Sequence, residues 1–166
     1  MTNDSNLRIG YGVDVHAFAS GNHITLGGVT IPYHAGLRAH SDGDVVIHAL
    51  VDALLGASAL GDIGQHFPDT ERRWKGCSSR IFLKESVRML QESRFSIANV
   101  DITVLAEAPK LSQYREAIRA NLASDMAITL NQVNIKATTT EKLGFIGRKE
   151  GIAATAIVLI QKQASN

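Results

Sequence analysis

The sequence predicts an α/β fold: a mixed four-stranded sheet with helices on one face, plus a small β-hairpin. Three observations carry this prediction. Runs with strand character recur at Leu7–Val15, Val100–Val104, Val133–Thr138 and Ile152–Gln161. Segments with helical apolar spacing lie between them, over residues 44–58, from Ser78 or Ser79 to Leu90, and from Pro109 to Leu122. Gly27-Gly28, set between Ile24–Leu26 and Val29–Ile31, has the form of a tight hairpin turn.

Each element has a local reason. Residues 1–6 are polar and read as a flexible tail, and residues 7–163 have the length of a single domain. After the hairpin, residues 32–40 read as loop. Ser41-Asp42-Gly43-Asp44 then offers N-cap side chains and early acidic charge to a helix ending near Ser58. Gly56, Gly61, Gly64 and Pro68 mark a long irregular stretch from about Ala59 to Gly76, a length often tied to function. Ser78 or Ser79 can cap the second helix, with Ile81, Leu83, Val87 and Leu90 along one face. Val100, Ile102 and Val104 alternate with Asp101 and Thr103, the period of a half-buried strand. Pro109 sits where a third helix can begin, because Leu111, Tyr114, Ile118 and Leu122 keep helical spacing.

Composition narrows the function classes. The chain is 45% hydrophobic and 20% charged, with 17 basic and 16 acidic residues, so no basic excess points to nucleic acid or a membrane surface. A phosphate-bearing ligand must be held by local features. Cys77 is the only cysteine, which excludes an intramolecular disulfide and a thiolate zinc cluster. The N-terminal residues lack a basic and an apolar signal region, and no apolar run reaches membrane-spanning length, so a cytoplasmic location is expected.

Two segments carry candidate chemistry. Asp14 and His16, two apart on a strand, point to one side and can converge on an ion. In the helix at 44–58, the polar residues before Ser58 are Asp44, His48 and Asp52, four apart and hence in one stripe on an otherwise apolar helix. That pattern suits a helix packed on most sides and opening onto a small polar site, with Asp44 or Asp52 able to orient His48. Two imidazoles and one carboxylate suit zinc and leave a coordination position open; manganese, iron or cobalt satisfy the same ligand logic. The second segment is Thr138-Thr139-Thr140-Glu141, followed by Gly144, Gly147 and Arg148. Its hydroxyls and guanidinium can hold phosphate oxygens and Glu141 a hard cation, although threonines also serve simply as β-formers. Asp62 or His66 could instead activate water, which would make the chain a zinc hydrolase.

Together these pieces resemble the 2-C-methyl-D-erythritol 2,4-cyclodiphosphate synthase family of the non-mevalonate isoprenoid pathway. The resemblance is carried in order by RIGYGVDVH (8–16), AHSDGDVVIHALVDALLGASALGDIGQHFPDT (39–70), NVDITVLAEAPK (99–110) and VNIKATTTEKLGFIGRKEGIA (133–153). It implies a lyase that cyclises 4-diphosphocytidyl-2-C-methyl-D-erythritol 2-phosphate to the 2,4-cyclodiphosphate and releases CMP. By the same resemblance Asp14, His16 and His48 match zinc ligands, and Glu141 matches a residue holding a second cation, magnesium or manganese. His40 and Thr139 match groups that steady the transition state, with Ser41 beside His40. Asp14, Val15 and His16, together with Asp62, Ile63 and Gly64 and with Phe67, Pro68, Asp69, Thr70 and Glu71, match substrate contacts. Ala106, Glu107, Ala108, Pro109, Lys110, Leu111 and Ser112, with Thr138, Thr139, Thr140 and Glu141, match cytidine and diphosphate contacts. Phe145 and Arg148 match ligand-contacting positions near a central cavity that can hold an isoprenoid diphosphate. The family is a homotrimer with active sites between subunits. Glu71, Glu107, Leu111-Ser112 and Ile146 depart from residues common among relatives, and none of them is a matched metal ligand.

Overall fold

The most apolar segment of the chain sets the architecture. Helix α1 (Val45–Ala57) buries ten of its residues, including Val45, Leu50, Leu54 and Leu55. A helix buried this fully must lie between other layers, and its stripe of polar residues must meet partners inside the protein. In the computed structural model, which describes residues 6–163, α1 packs on strands β1 (Leu7–Ala19) and β7 (Gly151–Lys162) on one side and on α3 (Arg80–Glu92) on another. Of the expected tail, residues 1–5 lie outside the described residues. The Asn6 carbonyl accepts the Lys162 N–H at 2.7 Å.

The remaining elements follow in chain order. Strands β2 (His23–Leu26) and β3 (Val29–Pro32) form the hairpin on Gly27 and Gly28, both with positive φ. Strand β4 (Gly36–Leu37) follows, then α1, the short α2 (Ile63–His66), a 3-10 turn at Arg72–Trp74, and α3. Strand β5 (Phe95–Leu105), α4 (Arg115–Met126), β6 (Val133–Thr138), the single-turn α5 (Gly144–Gly147) and β7 complete the fold. The sheet order is β4-β1-β7-β5-β6. Only β5 and β6 run parallel; the other neighbours are antiparallel. A mixed sheet with a separate hairpin is therefore present, as expected.

Three expectations need correction. The sheet has five strands, not four, because β1 continues past Val15 and its Phe18 and Ala19 pair with Leu37 and Gly36. A two-residue strand is too short to show any periodicity, which is why it read as loop. The third helix begins at Arg115, not Pro109. Leu111 is buried ahead of the helix and its carbonyl accepts the Tyr114 N–H, so its apolar character belongs to a turn. In α3 the buried face is Phe82, Leu83, Ser86, Val87 and Leu90, whereas Ile81 is exposed, and Ser79 stands at the N-cap without a side-chain capping bond.

The helices lie on one face of the sheet. On β1, Gly10, Gly12, Asp14 and His16 point toward that layer, while Ile9, Tyr11, Val13 and Val15 point away. The second set is exposed, Ile9 by 73% and Tyr11 by 62%, and Ile157 of β7 adds to the same uncovered apolar face.

Candidate active site

Two glycines bring the two halves of the candidate metal-ligand set together. A Cβ on Gly10 would lie 1.8 Å from the Ala53 carbonyl oxygen, and one on Gly12 would lie 2.0 Å from that of Ala49. Strand β1 and helix α1 thus touch main chain to main chain. His48, one residue before Ala49, falls beside Asp14 and His16 at the next positions of the same strand face.

The geometry is a closed triangle. Asp14 Oδ2 is 2.9 Å from His16 Nε2 and 3.0 Å from His48 Nδ1, and the two ring nitrogens are 3.0 Å apart. Among the described residues this is the group of three His, Cys, Asp or Glu side chains placed to share an ion. Ligands around a tetrahedral zinc stand about 3.4 Å apart, so an opening of a few tenths of an ångström admits the ion. The donor chemistry and the geometry both fit a divalent metal.

Electrostatics agree with the geometry. Burial pushes the Asp14 carboxyl up, but hydrogen bonds from His16 and His48 outweigh it and hold the group below the usual carboxylate range. Burial pushes His16 down, and the hydrogen bond and charge of Asp14 outweigh that, so the imidazole is raised above its ordinary value. Asp14 thus favours positive charge at the place a cation would take.

Of the stripe on α1, only His48 reaches this triangle. Asp44 is fully buried and accepts the N–H groups of Gly27 (2.9 Å), Gly28 (2.7 Å) and Ile47 (3.1 Å), tying the hairpin turn to the helix start. Burial raises its carboxyl to about 6 against those bonds. Asp52 accepts the Ile63 N–H at 2.8 Å and tethers α2. Neither aspartate orients His48. Its Nε2 instead lies 2.9 Å from Ser79 Oγ and 3.1 Å from Ser41 Oγ, and Ser79 is bound to Asp42. Sequence spacing along one helix could not show a partner supplied by the N-cap of α3.

A cleft of about 670 Å³ opens beside the triangle, lined by His16, His40, Ser41, His48, Ile63, Gly64, Phe67, Pro68 and Asp69, and also by Arg38, Ala39, Trp74 and Phe82. Phe67, Trp74 and Phe82 pack on one another with ring centroids 4.7 to 5.5 Å apart. The buried Trp74 indole N–H has no partner among the described residues. Arg38, Trp74 and Phe82 carried no sequence signal, because an apolar wall and an isolated cation look like ordinary loop or core. Other predicted residues stand off the cleft wall: Asp62 caps α2 through Gln65 N, Thr70 is exposed, and Glu71 pairs with Arg73. Val15 points to the helix-free face. His66 Nε2 meets the Leu60 carbonyl at 2.7 Å, so that nitrogen donates and is not a free base.

The phosphate-type segment forms a second cluster. Glu107, just after β5, accepts the N–H groups of Thr140 (3.1 Å) and Lys142 (3.2 Å), and Ala106 N–H donates to Thr138 O. Glu141 and Lys142 both have positive φ, and Glu141 accepts the Thr139 hydroxyl at 2.7 Å. Nearby, Leu111 and Ser112 join Arg115, Ile135 and Ala137 around a cavity of about 260 Å³. Ala108, Pro109 and Lys110 lie in the turn between, Phe145 is exposed, and Arg148 pairs with Glu150. Register places both clusters at the same end of the sheet: Val15 aligns with Ala153, Ala153 with Leu105, and Leu105 with Thr138. Three strand spacings, about 14 Å, separate them.

Comparison with known proteins agrees. The profile of the YgbB family matches residues 7–161. The 2-C-methyl-D-erythritol 2,4-cyclodiphosphate synthase of Thioalkalivibrio sulfidiphilus is 59% identical over 157 residues, 95% of this chain and 98% of that protein. The synthase of the same name from Pseudomonas fluorescens Pf-5 is 57% identical over 94% of this chain and 99% of its own. Among solved structures, the bifunctional IspDF of Campylobacter jejuni superposes with a TM-score of 0.91 at 44% identity, over 95% of this chain and 42% of that one. A Plasmodium falciparum IspF complex with CDP gives 0.84 at 37% identity, over 95% and 97%. On these grounds the chain belongs to the YgbB family of 2-C-methyl-D-erythritol 2,4-cyclodiphosphate synthases.

Proposed function

We propose that the protein is the lyase of isoprenoid precursor synthesis that makes 2-C-methyl-D-erythritol 2,4-cyclodiphosphate. Its substrate is 4-diphosphocytidyl-2-C-methyl-D-erythritol 2-phosphate. An oxygen of the 2-phosphate forms a new bond to the β-phosphorus, the α–β bridging bond breaks, and CMP leaves with the bridging oxygen. The observation that carries this reading is the Asp14–His16–His48 triangle at the mouth of a cleft, in a chain 59% identical to a synthase of that name.

Zinc held by Asp14, His16 and His48 would supply Lewis-acid charge to the diphosphate, and magnesium or manganese at Glu141 would add to it. The chain's own groups bind and orient. Ile63, Gly64 and Phe67 to Asp69 wall the pocket for the methylerythritol part, and the unpartnered Trp74 N–H suits a hydroxyl or phosphate oxygen there. His40 and Ser41 lie on the same wall, where they can steady charge on the transferred group. Thr138–Glu141 and Ala106–Ser112 hold the cytidine diphosphate, with Thr139 facing the phosphates. Such a reaction is mainly positioning and charge stabilisation, and no enzyme nucleophile is needed.

A homotrimer completes the site. The metal cluster and the nucleotide cluster stand about 14 Å apart on one chain, so a second subunit bringing its nucleotide cluster to the metal closes the gap. The uncovered face of Ile9, Tyr11, Val13 and Val15 is the surface such an assembly would bury. Phe145 and Arg148 are the residues assigned to an isoprenoid diphosphate in its central cavity. None of the described helices is long and apolar enough to cross a membrane, and we place the enzyme in the cytoplasm.

The test is turnover in ¹⁸O-labelled water. Equal amounts of CMP and unlabelled cyclic diphosphate are expected. Labelled linear phosphate products would overturn the proposal in favour of hydrolysis.

A further inference from the structure

His48 offers its two nitrogens to two different environments. Nδ1 faces Asp14 and His16, while Nε2 faces Ser79 Oγ at 2.9 Å and Ser41 Oγ at 3.1 Å. Ser79 has no exposure, and its oxygen lies 2.5 Å from Asp42 Oδ1. The Ser79 N–H also donates to Asp42 Oδ2, at 3.0 Å. A carboxylate has no proton to give, so the Ser79 hydroxyl must point its hydrogen at Asp42. Its oxygen then has only lone pairs left for His48, and His48 Nε2 must carry the ring N–H. In a neutral, metal-bound imidazole this is the single ring hydrogen, so Nδ1, which meets the Asp14 carboxylate at 3.0 Å while no ion stands between them, is left bare for the ion.

We infer that Asp42 and Ser79 are positioning residues of the metal centre. They fix His48 in the Nε2–H tautomer and direct its Nδ1 lone pair at the ion. The inference rests on the metal-centre reading above. Ser41 supplies a second, longer acceptor to the same N–H and is not itself anchored by a carboxylate.

A purely structural role would look different. The contact between Asp42 and the Ser79 N–H also ties the start of α3 to the 41–44 loop, but that bond needs no hydroxyl. Ser79→Ala keeps that main-chain bond and removes the hydroxyl that connects Asp42 to His48. Ser86 provides the control: it is equally buried on the same helix, and its hydroxyl bonds to Phe82 O at 2.8 Å, away from His48.

The experiment measures zinc affinity by chelator competition on full-length protein, with unfolding curves for each variant. Loss of an orienting partner of this kind typically weakens metal binding by about 10–100-fold. Ser79→Ala should show such a loss, and Ser86→Ala should bind zinc as the unaltered protein does. In the zinc-loaded protein the His48 Nε2–H resonance should exchange with water faster after Ser79→Ala. Asp42→Asn gives a second test: its amide can donate to Ser79 Oγ, freeing the hydroxyl to donate to Nε2 and favouring the wrong tautomer, so zinc binding should again weaken. Unchanged affinity in both Ser79→Ala and Asp42→Asn would overturn the inference, as would an equal loss in Ser86→Ala. If the unaltered protein and a His48→Ala control bind zinc alike, the metal-centre reading itself fails instead.

Discussion

Substituting Gly12 by alanine is the sharpest test of how the metal ligands are assembled. The added Cβ would lie 2.0 Å from the Ala49 carbonyl oxygen and 2.8 Å from the Ala53 nitrogen. Ordinary carbon–oxygen contact needs roughly 3.2–3.4 Å, so α1 must retreat from β1 by about 1.2–1.4 Å. His48 rides on that helix, whereas Asp14 and His16 ride on the strand. Metal sites tolerate ligand displacements of only about 0.2 Å, so the displaced His48 should leave the ion. Zinc affinity should fall by at least two orders of magnitude, and overpacking should cost about 1–3 kcal/mol of stability. Chelator competition and urea unfolding measure the two effects separately. Gly56→Ala is the internal control on the same helix, because nothing lies within 4 Å of the new Cβ. That variant should keep full zinc affinity with stability unchanged or slightly raised. Wild-type zinc affinity in Gly12→Ala would refute the idea that main-chain contact sets the site.

Four further outcomes are expected. In the metal-free protein, the raised His16 adds stability that is present below its ordinary 6.5 and fades as pH rises through its higher folded value, while the lowered Asp14 adds stability above its ordinary 3.8 that fades on acidification. Zinc must displace the His16 proton, so its affinity should climb with pH through that window, and calorimetry in buffers of different ionisation enthalpy should register proton release; a pH-independent affinity would contradict this. Asp44→Ala orphans the N–H groups of Gly27 and Gly28 and uncaps α1, for a loss of about 2–4 kcal/mol in urea unfolding, partly offset by removing a buried carboxylate. Tyr11→Glu places charge on the uncovered sheet face, and light scattering should find smaller species with little turnover; an unchanged assembly would place the interface elsewhere.

Much of the fold was legible because period and punctuation agreed. Val100, Ile102 and Val104 alternate as they stand in β5, and Gly27-Gly28 makes the hairpin that it suggests. The meeting of Asp14, His16 and His48 was legible for a similar reason: two-residue spacing on a strand and an apolar helix with one histidine are strong local patterns. What stayed hidden depends on contacts between segments distant in sequence. Gly10 and Gly12 look like breaks in a strand, and only the approach of Ala49 and Ala53 explains them. Ser79 reads as a helix cap, yet it belongs to His48, 31 residues away. Glu107 reads as a departure from its relatives, yet its carboxylate braces the main chain of Thr140 and Lys142. Leu111 misled because burial in a turn and burial on a helix leave the same mark in a sequence.

The close contact between β1 and α1 bears on how a metal would enter the proposed site. A strand and helix already locked by their main chains present the ligands before any ion arrives, so the ion is a guest in a finished frame and not a staple that closes it. Stripping with a chelator should then leave a folded, reloadable protein, unlike small domains that unravel without zinc. Occupancy would then be a matter of supply: whichever divalent ion the cell holds most available, weighted by the preference of two imidazoles and a carboxylate, would settle there and could later be exchanged.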